Sequence, residues 1–108
     1  MAQVPIHVGH YGGSATSEQA IGSAVPTSHT WEVKCWITNR TAGPLTFRIR
    51  QAFAGAGVGN EQYRAYDTVC PASDLIALPV FTMMASDTLN FTQSANGLTV
   101  IADALDVT

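Results

Sequence analysis

Charged side chains are scarce. Five basic and eight acidic residues make up 12% of the 108 positions, where a soluble domain usually carries roughly a quarter. A folded chain of this length exposes on the order of 5,800 Å². So few charges leave that surface either to Thr, Ser, Ala, Gln and Gly or to contact with other protein. Basic residues are absent after Arg64, and the net charge of −3 with a pI near 5.3 lacks the footprint a nucleic-acid binder needs to neutralise phosphate. Long apolar runs are also missing, so nothing approaches the ~18 residues of a membrane helix. The opening MAQVPIHVGH has neither the basic start nor the apolar centre of a signal peptide, and the expectation is synthesis and retention in a cytosol. Two cysteines make no disulfide framework, and in a reducing compartment Cys35 and Cys70 are expected to be free thiols, Cys35 as a small core group. Helical periodicity is lacking too, since no segment keeps an i, i+3, i+4 apolar pattern for ten residues.

What is present is alternation. Trp31, Val33, Cys35 and Ile37 alternate with Glu32, Lys34, Trp36 and Thr38, which predicts a strand with one buried face and Trp36 as an aromatic on the polar side. After Thr41-Ala42-Gly43-Pro44, Leu45, Phe47 and Ile49 alternate with Thr46, Arg48 and Arg50. This predicts a second strand in a hairpin with the first, both arginines pointing away from the core. Ala54 to Asn60 reads as a flexible loop, Gln62–Val69 as a strand, and Leu75–Phe81 as another in which Pro79 marks an edge or bulge. Thr88–Gln93 and Leu98–Val107 flank Asn96-Gly97, a hairpin signal because both residues accept positive φ. Glu18–Val25 supplies an edge strand. The spacing predicts one all-β domain over 18–108, an antiparallel β-sandwich or jelly roll of about seven or eight strands. Residues 1–17, rich in glycine and poor in apolar periodicity, read as an extended N-terminal arm that orders on a neighbour.

Signatures of chemistry are few. Gly55-Ala56-Gly57-Val58-Gly59 opens no helix that could take a phosphate. His7 and His10 match metal-ligand spacing only on a helix, with no Cys or carboxylate beside them in sequence. A shell completed by symmetry-related histidines is the remaining metal reading, against a plain polar arm. Ser14, Cys35 and Cys70 sit in no nucleophile motif, and Asp103 and Asp106, three apart on a strand, face opposite sides and share no proton. The chain is expected to be neither an enzyme nor a cofactor binder. Trp36, with Tyr11, Tyr63 and Tyr66, fits a subunit contact, a second apolar layer or a sugar platform.

The order of motifs from Val25-Pro26 through Trp31–Thr38, Thr38-Asn39-Arg40-Thr41, Thr46-Phe47-Arg48-Ile49, Ala52–Asn60, Tyr63–Asp67 and Ala85-Ser86-Asp87-Thr88-Leu89 to Val107-Thr108 resembles a group of small tailed-bacteriophage virion proteins. The resemblance covers about residues 25–108 and leaves out the arm and the cysteines. It implies a structural β-sandwich subunit, trimeric, that decorates or cements a capsid or sits at the neck, tail or fibre base. The partners are then copies of the chain and the major capsid protein or other virion proteins, with no direct nucleic acid and no membrane. The place is the virion, after synthesis in the bacterial cytoplasm. The expected contact residues are Val4, Ile6, His7, His10 and Tyr11 of the arm, Trp36, Arg48, Arg50 and Arg64 of the strands, and Val58 and Asn60 of the loop. With basic residues central and the later part acidic, charges are expected to pair between copies. A carbohydrate-binding sandwich using Trp36 and the tyrosines is the reading from another class.

Overall fold

A computed structural model describes residues 3–54 and 56–107. Met1 and Ala2 of the expected arm, Gly55 of the expected loop and Thr108 lie outside the described residues. The chain forms β1 (Val4–Tyr11), β2 (Gln19–Ile21), β3 (Trp31–Asn39), β4 (Leu45–Ala52), β5 (Tyr63–Cys70), β6 (Leu75–Ala77), β7 (Phe81–Met83), β8 (Thr88–Gln93) and β9 (Leu98–Asp106). A 3-10 turn at Asn60–Gln62 precedes β5. One sheet has the order β1-β9-β3-β6, with β7 also on β3, and the other β2-β8-β4-β5. The pairings are antiparallel. With β6 and β7 sharing one position on either side of Pro79, this is the eight-position order of a jelly roll, in which the first and last strands lie side by side.

Period-2 burial carries the fold. In β3, Trp31, Val33, Cys35, Ile37 and Asn39 are buried while Glu32 and Lys34 are exposed. In β9, Leu98, Val100, Ala102 and Ala104 face the core. Phe47 of the second sheet stacks on Phe91 with ring centroids 6.5 Å apart, among Ile21, Ile49 and Leu89. Each such large side chain contributes about 1.5–3 kcal/mol by leaving water. Cys35 and Cys70 are buried free thiols, and burial pushes the Cys35 thiol up to about 12, helped by the charge of Asp103.

Two expected hairpins do not form. Trp31–Asn39 and Leu45–Ala52 lie in opposite sheets, because β9 on one side and β6 and β7 on the other occupy both edges of β3. The chain crosses at Asn39, a buried amide that donates to the carbonyls of Gly43 (2.9 Å) and Cys70 (3.0 Å) and accepts from the Thr41 backbone N–H (2.9 Å) and hydroxyl (2.7 Å). Asn96-Gly97 likewise carries the chain from one sheet to the other. Here buried Gln93 accepts from the Leu98 N–H (3.1 Å) and donates to the carbonyls of Gly13 (3.0 Å) and Ala15 (2.9 Å). Satisfied inside, these amides can sit where an unpaired polar group would cost about 1–3 kcal/mol.

The expected arm is corrected as well, since residues 4–11 are the first strand of the roll, paired with β9 from Val4↔Asp106 to Tyr11↔Val100. The register shifts between His7 and Gly9, so Ile6 packs inward before the bulge, Val8 within it and Tyr11 after it. A fixed period of two therefore misses the apolar face. Nor are the glycines there for looseness. A Cβ on Gly9 would lie 2.6 Å from the Gly22 nitrogen, and one on Gly22, held at φ +72°, 1.8 Å from the Val8 carbonyl oxygen.

This close approach of two backbones generates a contrast. Gly22→Ala is expected to destabilise by more than about 2 kcal/mol, through strain at positive φ and a clash with backbone. Gly43→Ala, where an added Cβ meets nothing within 4 Å, is expected to stay within about 0.5 kcal/mol of the parent. Urea midpoints of the two variants check it.

Candidate interaction face

The outward positions of the β1-β9-β3-β6 sheet form an apolar face. β9 places Ile101, Asp103 and Leu105 outward, β3 places Glu32, Lys34 and Trp36, and Leu75 and Val80 extend the face past β3. Val80 is 58% exposed, Leu75 52%, Ile101 41% and Leu105 37%. Across it runs a groove of about 590 Å³, lined by Pro5, Trp36, Val80 and Leu105 with Glu32, Lys34, His7 and Asp103 around them. The Lys34 ammonium stands 5.7 Å from the Trp36 ring centroid, a cation–π distance that leaves Trp36 half-buried with open apolar area.

At the β1 edge, His7 Nδ1 lies 2.6 Å from Asp103 Oδ1, and His7 Nε2 lies 3.1 Å from His10 Nδ1. The bulge brings both histidines to this side, His7 opposite Asp103 and His10 opposite Ile101. Asp106 instead takes His29, at 2.5 Å. The two aspartates thus take separate histidines. Among the described residues no group of three or more His, Cys, Asp or Glu side chains is arranged to hold a metal ion.

The other sheet presents a different surface. Arg48 makes a two-point contact with Asp67 (Nε–Oδ1 2.6 Å, Nη2–Oδ2 3.1 Å) and lies 4.0 Å from the Tyr66 ring centroid. The hydrogen bonds from Arg48 hold the Asp67 carboxyl below its usual range. Arg50 leaves the core as alternation requires, but it is covered. Glu18 takes its Nε at 2.9 Å and Nη2 at 2.7 Å, and the buried Gln62 takes Nη1 at 2.7 Å. Arg64 donates from Nε (2.9 Å) and Nη2 (2.7 Å) to Gln51, whose amide reaches Asp87 at 2.8 Å. Arg48 and Arg50 are therefore both engaged by carboxylates within the chain.

The expected contact residues separate into groups. His7, His10 and Trp36 share the apolar face, with Val4 exposed at the start of β1, while Ile6 and Tyr11 pack partly against the core. Arg48, Arg50 and Arg64 belong to β4 and β5, and Val58, 71% exposed, and Asn60 to the segment between those strands. Missing from the sequence reading were Leu75, Val80, Ile101, Asp103 and Leu105 as one surface. Alternation of Ala102 and Ala104 with Ile101, Asp103 and Leu105 was the available signal.

No protein-family model matches the chain, and no curated protein sequence matches it. Among solved structures, a chain of the structure of infectious bursal disease virus Gx strain is similar over 98% of this chain and 32% of that one, with a TM-score of 0.52 and 12% identity. This chain thus spans about a third of that one, and the likeness is one of fold.

The Arg50 cluster generates a pH prediction. Hydrogen bonds from Arg50, opposed by partial desolvation, hold the Glu18 carboxyl below its usual value. A lowered folded pKa adds stability above the unfolded carboxylate value near ~4.3, and that stability is lost as pH falls through the folded value. Glu18→Gln is expected to cost roughly 1 kcal/mol at pH 7 after allowance for solvent screening, and almost nothing at pH 3. Urea midpoints of parent and variant at both pH values test the sign.

Proposed function

We propose that the chain is a structural subunit of a virion, and more finely a capsid decoration (cement) protein of a tailed bacteriophage, trimeric and without catalytic activity. One observation carries the reading: a jelly roll whose β1-β9-β3-β6 sheet turns Trp36, Leu75, Val80, Ile101 and Leu105 outward around a groove. Exposed apolar patches of this kind mark contact sites, and a buried tryptophan is a favoured anchor within them. The jelly roll is an architecture of viral capsid and lectin domains. Its likeness to a chain of a virus structure and the motif resemblance over residues 25–108 support the first of these uses. The role is mechanical. The apolar face seats on neighbouring shell subunits or copies, while the ion-paired β2-β8-β4-β5 surface suits contact with solvent.

Quantitative mass spectrometry of purified particles of the encoding phage tests this. A cement protein is expected at tens to hundreds of copies per particle, and a count near a dozen would move it to the neck. Leu105→Glu, at an exposed position, is expected to keep the fold by circular dichroism and to lower incorporation at least tenfold. Absence from particles, together with glycan-array binding that is lost in Trp36→Ala, would replace the proposal with the carbohydrate-binding reading.

A further inference from the structure

The His7–His10–Asp103 cluster is not needed for an apolar contact, and its geometry is specific. Asp103 as a carboxylate only accepts, so His7 holds a proton on Nδ1, and in the neutral ring Nε2 is then the nitrogen with the lone pair. The 3.1 Å contact from that nitrogen to His10 Nδ1 then holds one proton between two imidazoles. The rings are 5.4 Å apart and inclined by 30°. A metal with bonds of about 2.0–2.1 Å at tetrahedral angles needs donor nitrogens about 3.3–3.4 Å apart. At 3.1 Å with centroids 5.4 Å apart the two nitrogens meet head-on, so binding opens the separation slightly and turns both rings until their lone pairs converge, a motion that two exposed side chains allow.

We propose that His7 Nε2 and His10 Nδ1 form a two-imidazole chelate for a borderline divalent transition ion such as Zn²⁺, with Asp103 as the residue that positions His7. The carboxylate–histidine–metal arrangement fixes the tautomer and orientation of the ligating ring and raises its basicity. On binding, the proton between the rings is replaced by the ion. His10 changes tautomer and carries its proton on Nε2, so two neutral imidazoles lose no proton overall. The remaining coordination positions go to water. Two nitrogen donors without thiolate favour Zn²⁺, Ni²⁺ and Cu²⁺ over Mg²⁺ or Ca²⁺. The β1 bulge makes the site possible, because on a regular strand residues three apart face opposite sides. His29 with Asp106 shows a carboxylate–histidine pair for which no second imidazole contact is seen, and serves as the internal control. The inference does not depend on the virion reading, since it concerns the isolated chain.

Isothermal titration of the full chain with ZnCl₂ in a non-chelating buffer at pH 7.5 tests it. Saturable binding of one ion per chain is expected. It should weaken at least tenfold in His7→Ala and in His10→Ala, by about tenfold in Asp103→Asn, and not at all in His29→Ala. Nitrogen-15 NMR of the parent gives a readout independent of the variants' folding, with the His7 Nε2 and His10 Nδ1 resonances moving on zinc addition while those of His29 stay. Absence of saturable binding up to millimolar zinc, binding unchanged in His10→Ala, or shifts confined to His29 would each overturn the proposal.

Discussion

The structure depends on where its last strand sits. β9 pairs with β1 on one side and β3 on the other, so the two ends of the described chain lie side by side in one sheet, with β1 at its edge. From this pairing follow the burial of Val8, the contact of Gly9 with Gly22 between the sheets, and the approach of His7 to Asp103. The outward side chains of the same strand, Ile101 and Leu105, also make much of the apolar face. Core and candidate interface are thus the two sides of one strand, with alternation dividing them.

The shortage of charge has an internal explanation. Glu18, Asp67, Asp103 and Asp106 each have a cationic or histidine partner within the chain. The places where the chain crosses between sheets are held by buried neutral amides, Asn39 and Gln93, rather than by ions. Amides supply donors and acceptors together and avoid the desolvation cost of a buried charge. On the β1-β9-β3-β6 face Glu32, Lys34 and Asp103 stand beside the apolar side chains that line its groove.

Strand positions were legible in the sequence wherever burial alternates strictly, as in β3, β8 and β9, and Pro79 marked the break between β6 and β7. Pairing was less legible. A short connection such as 40–44 looks the same whether it joins neighbours in one sheet or opposite sheets, because the difference lies in what else occupies the edges of β3. The bulge in β1 hid a core strand by changing the side-chain parity at Val8 and Gly9. The same bulge concealed the meeting of His7, His10 and Asp103, which needs both the parity change and a partner 96 positions away. Trp36 was legible as an outward aromatic from alternation alone, whereas its neighbours Val80 and Leu105 required the strand order.

In the virion proposed above, the β1-β9-β3-β6 face is the covered surface, and the ion-paired sheet behind it is not. Hydroxyl-radical footprinting of the free chain and of the particle-bound chain compares the two directly, reading Trp36 on one sheet and Tyr66 on the other. Trp36 is expected to be strongly protected on assembly, and Tyr66, 55% exposed in the free chain, to react at an unchanged rate. Protection of Tyr66 with Trp36 still fully reactive would contradict it.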